Sequence, residues 1–168
     1  TSSVRPIFNN IFGYGLVDAS AAVASAIGST PFPEVPDLGE NQWGVNLVKA
    51  PEVWNQGFQG NGVVVAVIDS GVDYTHPELT GQIWKNSGEI PNNNIDDDVN
   101  GYVDDVQGWD FFDNDNDPRD EKGHGTHIAG TIAAKRDGIG TTGVAPNVQI
   151  MPLRVLNDQG EGKVSDSI

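Results

Sequence analysis

Two residues, an aspartate and a histidine, stand at positions where side chains often carry out chemistry. Asp69 ends an apolar run over 63–68 (VVVAVI), and open α/β sheets place ligands and reactive groups at that end of a strand. His124 lies between Gly123 and Gly125, which leave room for a substrate or partner backbone to approach. Each has a structural alternative, since Asp69 could cap a turn and His124 could only stabilise the start of a helix. Asp69 and His124 are therefore the first candidates for a reactive site.

A second histidine, His127, follows His124 at a spacing that places both on one face of a helix. A metal-binding pair is conceivable at this spacing. The zinc-protease pattern, however, needs its two histidines one residue further apart, with a glutamate between them. We therefore expect His127 to be a hydrogen-bonded, partly buried residue rather than a metal ligand.

A long acidic segment lies between Asp69 and His124. Eleven acids and a single base, Arg119, occupy residues 96–121. Because so many like charges repel one another, a packed loop of this composition needs a counter-charge. Calcium fits, since it takes about six to eight oxygen ligands from flexible loops. The alternative is an acidic loop that is simply solvated.

Two spacings within this segment match patterns of oxygen ligands. In the run DxDxNG that begins at Asp96, ligands alternate and a glycine allows a tight turn, as at the opening of an EF-hand-like loop. A true EF-hand is not expected, because Gln107 stands where its closing glutamate belongs. A second run has alternating carboxylates over 110–117. The predicted calcium ligands are Asp96, Asp98, Asn100, Asp104, Asp110, Asp113, Asp115 and Asp117.

Hydrophobic patterns predict the elements that position these residues. The run 63–68 has no polar face, which is typical of a parallel strand that is buried on both sides. Residues 124–134 predict a helix, and 148–156 predict a second apolar strand in which Pro152 is unusual. A strand, a helix and a strand in this order favour a doubly wound α/β fold with a parallel sheet.

Composition excludes several classes of protein. The 168 residues contain 9 Lys and Arg against 24 Asp and Glu, a net charge of −15. This charge argues against nucleic-acid binding, which needs clustered basic residues, and against docking on an anionic membrane surface. The lack of cysteine excludes a disulfide scaffold, a thiolate zinc site and a cysteine nucleophile. No stretch reaches the roughly 18–20 apolar residues of a membrane span, and we identify no signal peptide.

Several motifs resemble those of one enzyme family. Residues 64–73 (VVAVIDSGVD), with 76–79 (HPEL), resemble the aspartate motif of the subtilisin-like serine proteases, the subtilases. Residues 123–134 (GHGTHIAGTIAA) resemble their histidine motif nearly residue for residue, and 143–146 (GVAP) is similar to the segment that follows it. The order of Asp before His is also the family's order. The resemblance covers roughly residues 45–168.

This resemblance implies roles for the candidate residues. Asp69 would orient the imidazole of His124, and His124 would take the proton from a serine hydroxyl and return it to the leaving amine. The implied strand that pairs with a polypeptide substrate contains Leu156, in a pocket, and Gly160, Glu161 and Gly162. The acidic runs resemble calcium loops of some bacterial subtilases, although Arg119 departs from that pattern. Ca²⁺ as the cofactor and a secreted or extracytoplasmic location are therefore expected, because extracellular calcium is plentiful.

The serine motif of the family, Gly-Thr-Ser followed after one residue by Ala or Ser, does not occur in this sequence. We therefore expect a partial subtilisin-like fold, truncated before the serine motif and inactive alone. Such a piece would expose apolar strand faces and an unpaired sheet edge. It would need the remainder of the peptidase domain, from the same or a second chain.

The predicted organisation has three parts. Residues 1–28 form an Ala-rich helical segment, with a helix over 14–27, and resemble the end of a subtilase domain through 12–19 (FGYGLVDA). The segment could be the tail of a preceding subtilase-like domain, a permuted element of the same domain, or an Ala-rich helix with a chance match. Residues 29–44 are a Pro-rich linker. Residues 45–168 form the N-terminal part of a subtilisin-like peptidase domain.

Two other functions compete with the endopeptidase. One is a noncatalytic calcium-binding or interaction module derived from a subtilase, but the intact motifs around Asp69 and His124 favour the enzyme, because a scaffold needs neither side chain. The other is a nucleotide-binding α/β domain, which fails because Asp69-Ser70-Gly71 is not a glycine-rich phosphate loop. The sequence therefore predicts part of a calcium-dependent subtilisin-like serine endopeptidase.

Overall fold

A computed structural model describes residues 10, 14–39, 42–163 and 165. The chain divides into two compact units, Thr1–Phe58 and Gln59–Ile168. Residues 12 and 13, which open the motif predicted to end a subtilase domain, lie outside the described residues. No described helix is long and apolar enough to cross a membrane.

The first unit is helical. Its helices are α1 Ala19–Ala26, α2 Trp43–Leu47 and α3 Ala50–Asn55. α1 is shorter than the predicted helix 14–27, because Asp18 has extended backbone and its carboxylate caps the first turn of α1. Leu16 and Val17 consequently lie outside the helix and are exposed.

A parallel sheet organises the second unit. Its strands, in the spatial order β1-β3-β2, are β1 Val64–Asp69, β2 Trp109–Asp110 and β3 Gln149–Arg154. Arg154 is in register with Asp69 on one side and with Asp110 on the other, so the carboxyl ends of the strands lie together. Helix α4, His124–Ala133, packs on β1 and β3. The predicted parallel α/β fold is confirmed.

The core of this unit lies between α4 and the sheet. Ala129 and Ala133 of α4 belong to one buried cluster with Val67 of β1 and Ile150 of β3. Val64 is 41% and Ile68 is 52% exposed, so β1 is not buried on both sides as the run 63–68 predicts. It exposes apolar side chains instead, as expected for a partial fold. A parallel strand is shielded from solvent on both faces only when other elements cover both sides of the sheet.

Pro152 is accommodated inside the central strand β3 by its neighbours. Ile150, on the same edge, exchanges backbone hydrogen bonds with the chain around Ile83, and the Arg154 carbonyl accepts from Phe111 N. Pro152, between these contacts, has no N–H to pair. Gly108 faces it, and a side chain at Gly108 would collide with the Pro152 carbonyl.

Candidate active site

Asp69 and His124 meet at the carboxyl edge of the sheet. Asp69 Oδ1 lies 2.7 Å from His124 Nδ1 and also accepts a hydrogen bond of 2.7 Å from Ser70 N. A carboxylate in its ionised form only accepts hydrogen bonds, so with such a partner the neutral imidazole has its proton on Nδ1 and leaves Nε2 as an acceptor. The Asp69 side chain is 16% exposed and that of His124 is 60% exposed. The pair therefore has a shielded carboxylate and an imidazole that is open to an incoming group.

Glycine makes this close approach possible. A Cβ on Gly125 would collide with the Gly71 carbonyl and would lie 3.1 Å from Asp69 Cβ. Gly71 itself has a positive φ of 98°, and a Cβ there would meet the Pro118 carbonyl at 2.6 Å. Gly71 and Gly125 thus let α4 and the loop before it lie directly against the end of β1.

Of the residues predicted to bind substrate, Leu156 contacts the backbone of this pair. Leu156 N, two residues after the end of β3, donates to the Asp69 carbonyl at 3.3 Å. A turn follows in which Asn157 N donates to the Glu161 carbonyl at 2.9 Å. Lys122 Nζ, two residues before His124, donates to the Gln159 carbonyl at 2.6 Å and so ties this turn to the histidine loop.

Comparison with known proteins identifies the family. The model of the subtilase family matches residues 60–168. The chain belongs to the subtilase family. The chain is similar to the intracellular serine protease of Paenibacillus polymyxa, with 42% identity over 71% of this chain and 31% of the relative. It is 34% identical to thermitase of Thermoactinomyces vulgaris over 77% of this chain and 39% of the relative. It is 36% identical to subtilisin-like protease 1 of Plasmodium berghei over 74% of this chain and 22% of the relative. The match covers well under half of each relative's length.

Two groups of acids of this subtilase chain converge, and the first contains an arginine. In this Arg154 cluster, Arg154 Nη1 lies 2.6 Å from Asp110 and 2.9 Å from Asp113, and Nη2 lies 3.3 Å from Glu121. The side chains of Arg154 and Asp110 are 7% and 1% exposed. Burial disfavours the charge of Arg154, but the hydrogen bond and charge of Asp110 outweigh it and raise the pKa of Arg154. Arg154 is thus an internal counter-ion for these acids.

The second predicted ligand run, Asp110, Asp113, Asp115 and Asp117, is not brought together as a cation site by the described side chains. Asp110 and Asp113 hold Arg154 instead. The Asp115 carboxylate accepts from Asp117 N, and Asp117 accepts from the Tyr74 hydroxyl. The physical reason is that Arg154, distant in sequence, already neutralises the innermost carboxylate.

A second acidic group, the Glu89 cluster, consists of Glu89, Asp96 and Asp98. One carboxylate oxygen from each lies within 4.8 Å of the other two, and no other such trio of acids or histidines converges among the described residues. Asp96 and Asp98 were predicted as ligands, whereas Glu89 was missed. It lies before the acidic window, and no spacing in the sequence marks it.

The other two predicted ligands of this loop mainly hold its backbone. Asp104 is buried and accepts from Asn93 N at 3.1 Å and Asn94 N at 3.0 Å. The amide of Asn100 donates to Asp98 at 3.3 Å, while its oxygen accepts from Tyr102 N. Asn100 thus borders the Glu89 cluster, and Asp104 lies outside it.

His127 does not have the predicted environment. It is exposed rather than partly buried, on a face of α4 that borders a cleft of about 430 Å³. The cleft is lined by His76, Glu78, Thr126, His127, Thr131 and Thr141. Glu78 Oε2 is buried there with no hydrogen-bond partner among the described residues. His124 and His127 belong to no converging metal-ligand group within the described ranges.

Proposed function

We propose that this chain is the N-terminal part of the catalytic domain of a subtilisin-like serine endopeptidase, with Asp69 and His124 as members of its catalytic triad. The observation that carries the proposal is the 2.7 Å contact between Asp69 Oδ1 and His124 Nδ1, formed between the two family motifs. Three of the relatives are named as serine proteases or proteinases, which supports the same activity.

The proposed mechanism follows from the orientation of the imidazole. Asp69 holds the proton on His124 Nδ1, so that Nε2 accepts the proton of a serine hydroxyl as its oxygen attacks the substrate carbonyl. The imidazolium that forms is stabilised by the Asp69 carboxylate. His124 then returns the proton to the leaving amine. In the second half of the reaction, His124 takes a proton from water as it attacks the serine ester, and returns that proton to the serine oxygen. Leu156 and the turn that carries Gly160, Glu161 and Gly162 bind the extended polypeptide beside this pair.

The serine in this proposal comes from the remainder of the peptidase domain, in the same or a second chain. The family match and the exposed Val64 and Ile68 on β1 support such a partner, because further elements of a doubly wound sheet would cover that apolar face. We propose that the 168 residues alone hydrolyse no peptide bonds.

Turnover of a peptide substrate by the complete protein tests the proposal. His124→Ala should lower kcat by about 10⁶-fold, the magnitude known for subtilisin, and Asp69→Asn by about 10⁴-fold, the magnitude known for the same change in a chymotrypsin-type triad. His127→Ala, on the same helix, is the matched control and should keep activity, with circular dichroism confirming the fold of each variant. Retained turnover in His124→Ala would remove it from the mechanism. A complete protein that binds calcium but hydrolyses nothing would instead support the noncatalytic module.

We also propose that calcium binds at the Glu89 cluster. Three converging carboxylates are hard oxygen donors of the kind that Ca²⁺ prefers, which makes the donor set fit. Glu89, Asp96 and Asp98 would hold the ion, and the ion would neutralise their mutual repulsion. The Arg154 cluster does not fit an additional cation, since its guanidinium already occupies that place.

A secreted or extracytoplasmic location is part of the same proposal. It is supported by the proposed calcium site, because extracellular calcium is plentiful and would keep such a site filled. Two relatives at 37% and 42% identity are named as intracellular proteases, so the family alone favours neither location. Fractionation of the source cells with an antibody to the chain decides it, and a purely intracellular signal would contradict the proposal.

A further inference from the structure

One carboxylate that the proposed mechanism does not use, Asp120, contacts both halves of the candidate site. Its Oδ1 accepts from Ser70 Oγ at 2.9 Å, Lys122 N at 2.9 Å and Gly123 N at 2.8 Å. Its Oδ2 accepts from Thr126 N at 2.8 Å and Thr126 Oγ1 at 2.6 Å. Ser70 directly follows Asp69, while Gly123 directly precedes His124. A single side chain therefore links the end of β1 to the start of α4.

We propose that Asp120 is a positioning residue that sets the contact between Asp69 and His124. The inference rests on the proposed function, because it concerns the geometry of that pair. Asp120 touches neither Asp69 nor His124 through its described hydrogen bonds, and it acts through their chain neighbours. The sequence does not single it out, since it is one of eleven acids in the segment.

The two hydroxyl groups bound by Asp120 each make a second link between the same elements. Ser70 Oγ accepts from Gly125 N at 3.0 Å, and Thr126 Oγ1 accepts from Asp73 N at 2.8 Å. Ser70 is 1% exposed, so its hydrogen bonds are shielded from competing water. The links form a closed network around Asp120, in which the loss of its carboxylate would loosen both.

Helix geometry explains why an acid is suited to this place. The N-cap of α4 is Gly123, which has no side chain to accept from the free N–H groups of the first turn. Asp120 takes over that role from outside the helix, and its charge is favourable at a helix N-terminus.

The protonation of Asp120 agrees with this role. Burial by itself raises the pKa of Asp120, but the hydrogen bonds from Thr126, Gly123 and Ser70 outweigh it, and the pKa lies below the usual range. Asp120 is consequently ionised at neutral pH, when both of its oxygens act only as acceptors. An asparagine of the same size would face Thr126 N with a donor or give up the three bonds to Oδ1.

Nuclear magnetic resonance of the full ¹⁵N-labelled chain tests the inference. The signal followed is the proton on His124 Nδ1, assigned by its loss in His124→Ala, and the quantity measured is its exchange rate with water. Asp120→Asn should raise that rate by at least about tenfold, the equivalent of one hydrogen bond to a charged group. Exchange of backbone amides in α1, far along the chain, should change much less.

Matched variants separate positioning from general destabilisation. Thr126→Ser keeps the hydroxyl and should leave the rate unchanged, whereas Thr126→Val removes it and should raise the rate as Asp120→Asn does. Asp37→Asn removes the same charge from an exposed position in the first unit and should have no effect. If Asp120→Asn does not fold, the Thr126 pair alone decides the result.

The possible failures are distinguishable. The inference would be overturned if the exchange rate of the Nδ1 proton were the same in Asp120→Asn, or in a folded Thr126→Val, as in the wild type. The proposed Asp69–His124 pair would then still stand. Equal acceleration of the Nδ1 proton and the α1 amides would also overturn it, because the role would then be only structural. If no wild-type signal is lost in Asp69→Asn, the pair itself is absent, and the proposed function fails with the inference.

Discussion

The Arg154 cluster and the Glu89 cluster each gather three acids, but they balance the charge differently. In the first, a buried guanidinium lies 2.6 Å from the most buried acid, Asp110. In the second, no basic side chain pairs with the three acids within the described residues, and Glu89 accepts from Asp97 N, Asp98 N and Asp104 N. Arg154 of β3 therefore neutralises the buried acid of the first cluster. The Glu89 cluster has no such positive charge among the described residues, so a bound cation would reduce the repulsion between its acids.

The two regions also differ in backbone conformation. Four non-glycine residues have positive φ in the loop of the Glu89 cluster, namely Asn92, Asn94, Val99 and Asp104. Near the Arg154 cluster only Asn114 does so among the described residues. Positive φ at a β-branched residue such as Val99 costs free energy. The loop that lacks an internal cation is thus also the more strained one.

Removal of the internal cation should have the largest effect. Arg154→Met should lower the free energy of unfolding by about 3–5 kcal/mol, because it leaves the buried Asp110 charge unpaired. Urea denaturation at neutral pH measures the change. Arg154→Met combined with Asp110→Asn should recover part of the loss, and Asp113→Asn, at a 53% exposed acid, should cost less than about 1 kcal/mol. A loss for Arg154→Met as small as that of Asp113→Asn would erase the contrast between the clusters.

Calcium should act on the other cluster. At a concentration about a hundredfold above its dissociation constant, Ca²⁺ should stabilise the chain by about 2.7 kcal/mol through binding to the folded state. The thermal midpoint, measured with calcium and with excess chelator, reports this. Asp98→Asn should remove most of the shift, whereas Asp113→Asn, the matched change in the Arg154 cluster, should keep it. A midpoint that does not respond to chelation would contradict the calcium site.

Relief of backbone strain should be smaller. Val99 has φ 58° and is 84% exposed, so its replacement loses little packing. Val99→Gly should raise the free energy of unfolding by about 0.5–1 kcal/mol, after the entropy cost of glycine is subtracted. Val99→Ala, which retains a Cβ, should gain clearly less. Denaturation by urea with calcium absent makes the comparison, and a loss of stability on Val99→Gly would argue against strain in this loop.

An acid held by hydrogen bonds alone should change the pH dependence of stability. The pKa of Asp120 is lowered from 3.8, so its contribution to stability is present above that pH and is lost as the pH falls through the lower folded value. The difference in thermal midpoint between wild type and Asp120→Asn should therefore be constant near neutral pH and shrink below about pH 3.8. A difference that grows on acidification would have the wrong sign for this carboxylate.

The sequence predicts the elements better than their surroundings. The strand predicted over 148–156 is β3 Gln149–Arg154, and the helix over 124–134 is α4 His124–Ala133, because each carries its own local pattern. The exposure of Val64 and Ile68 on β1 disagrees with the local run 63–68 but agrees with the expectation for a partial fold, since burial depends on which elements cover the sheet. α2 and the short β2 lie in segments whose composition gives no periodic signal.

What the sequence by itself determined is the family, the parallel α/β fold and the residue types of the candidate site. The motifs that contain Asp69 and His124 are local, so they can be read directly from neighbouring residues. Only the tertiary structure decided which side chains meet, because the partners are distant along the chain. Asp69 and His124 are separated by 55 positions, and Arg154 and Asp110 by 44. Strand register brings Arg154 beside Asp110 and leaves the Glu89 cluster without a basic partner among the described residues, which no local pattern of acids could distinguish.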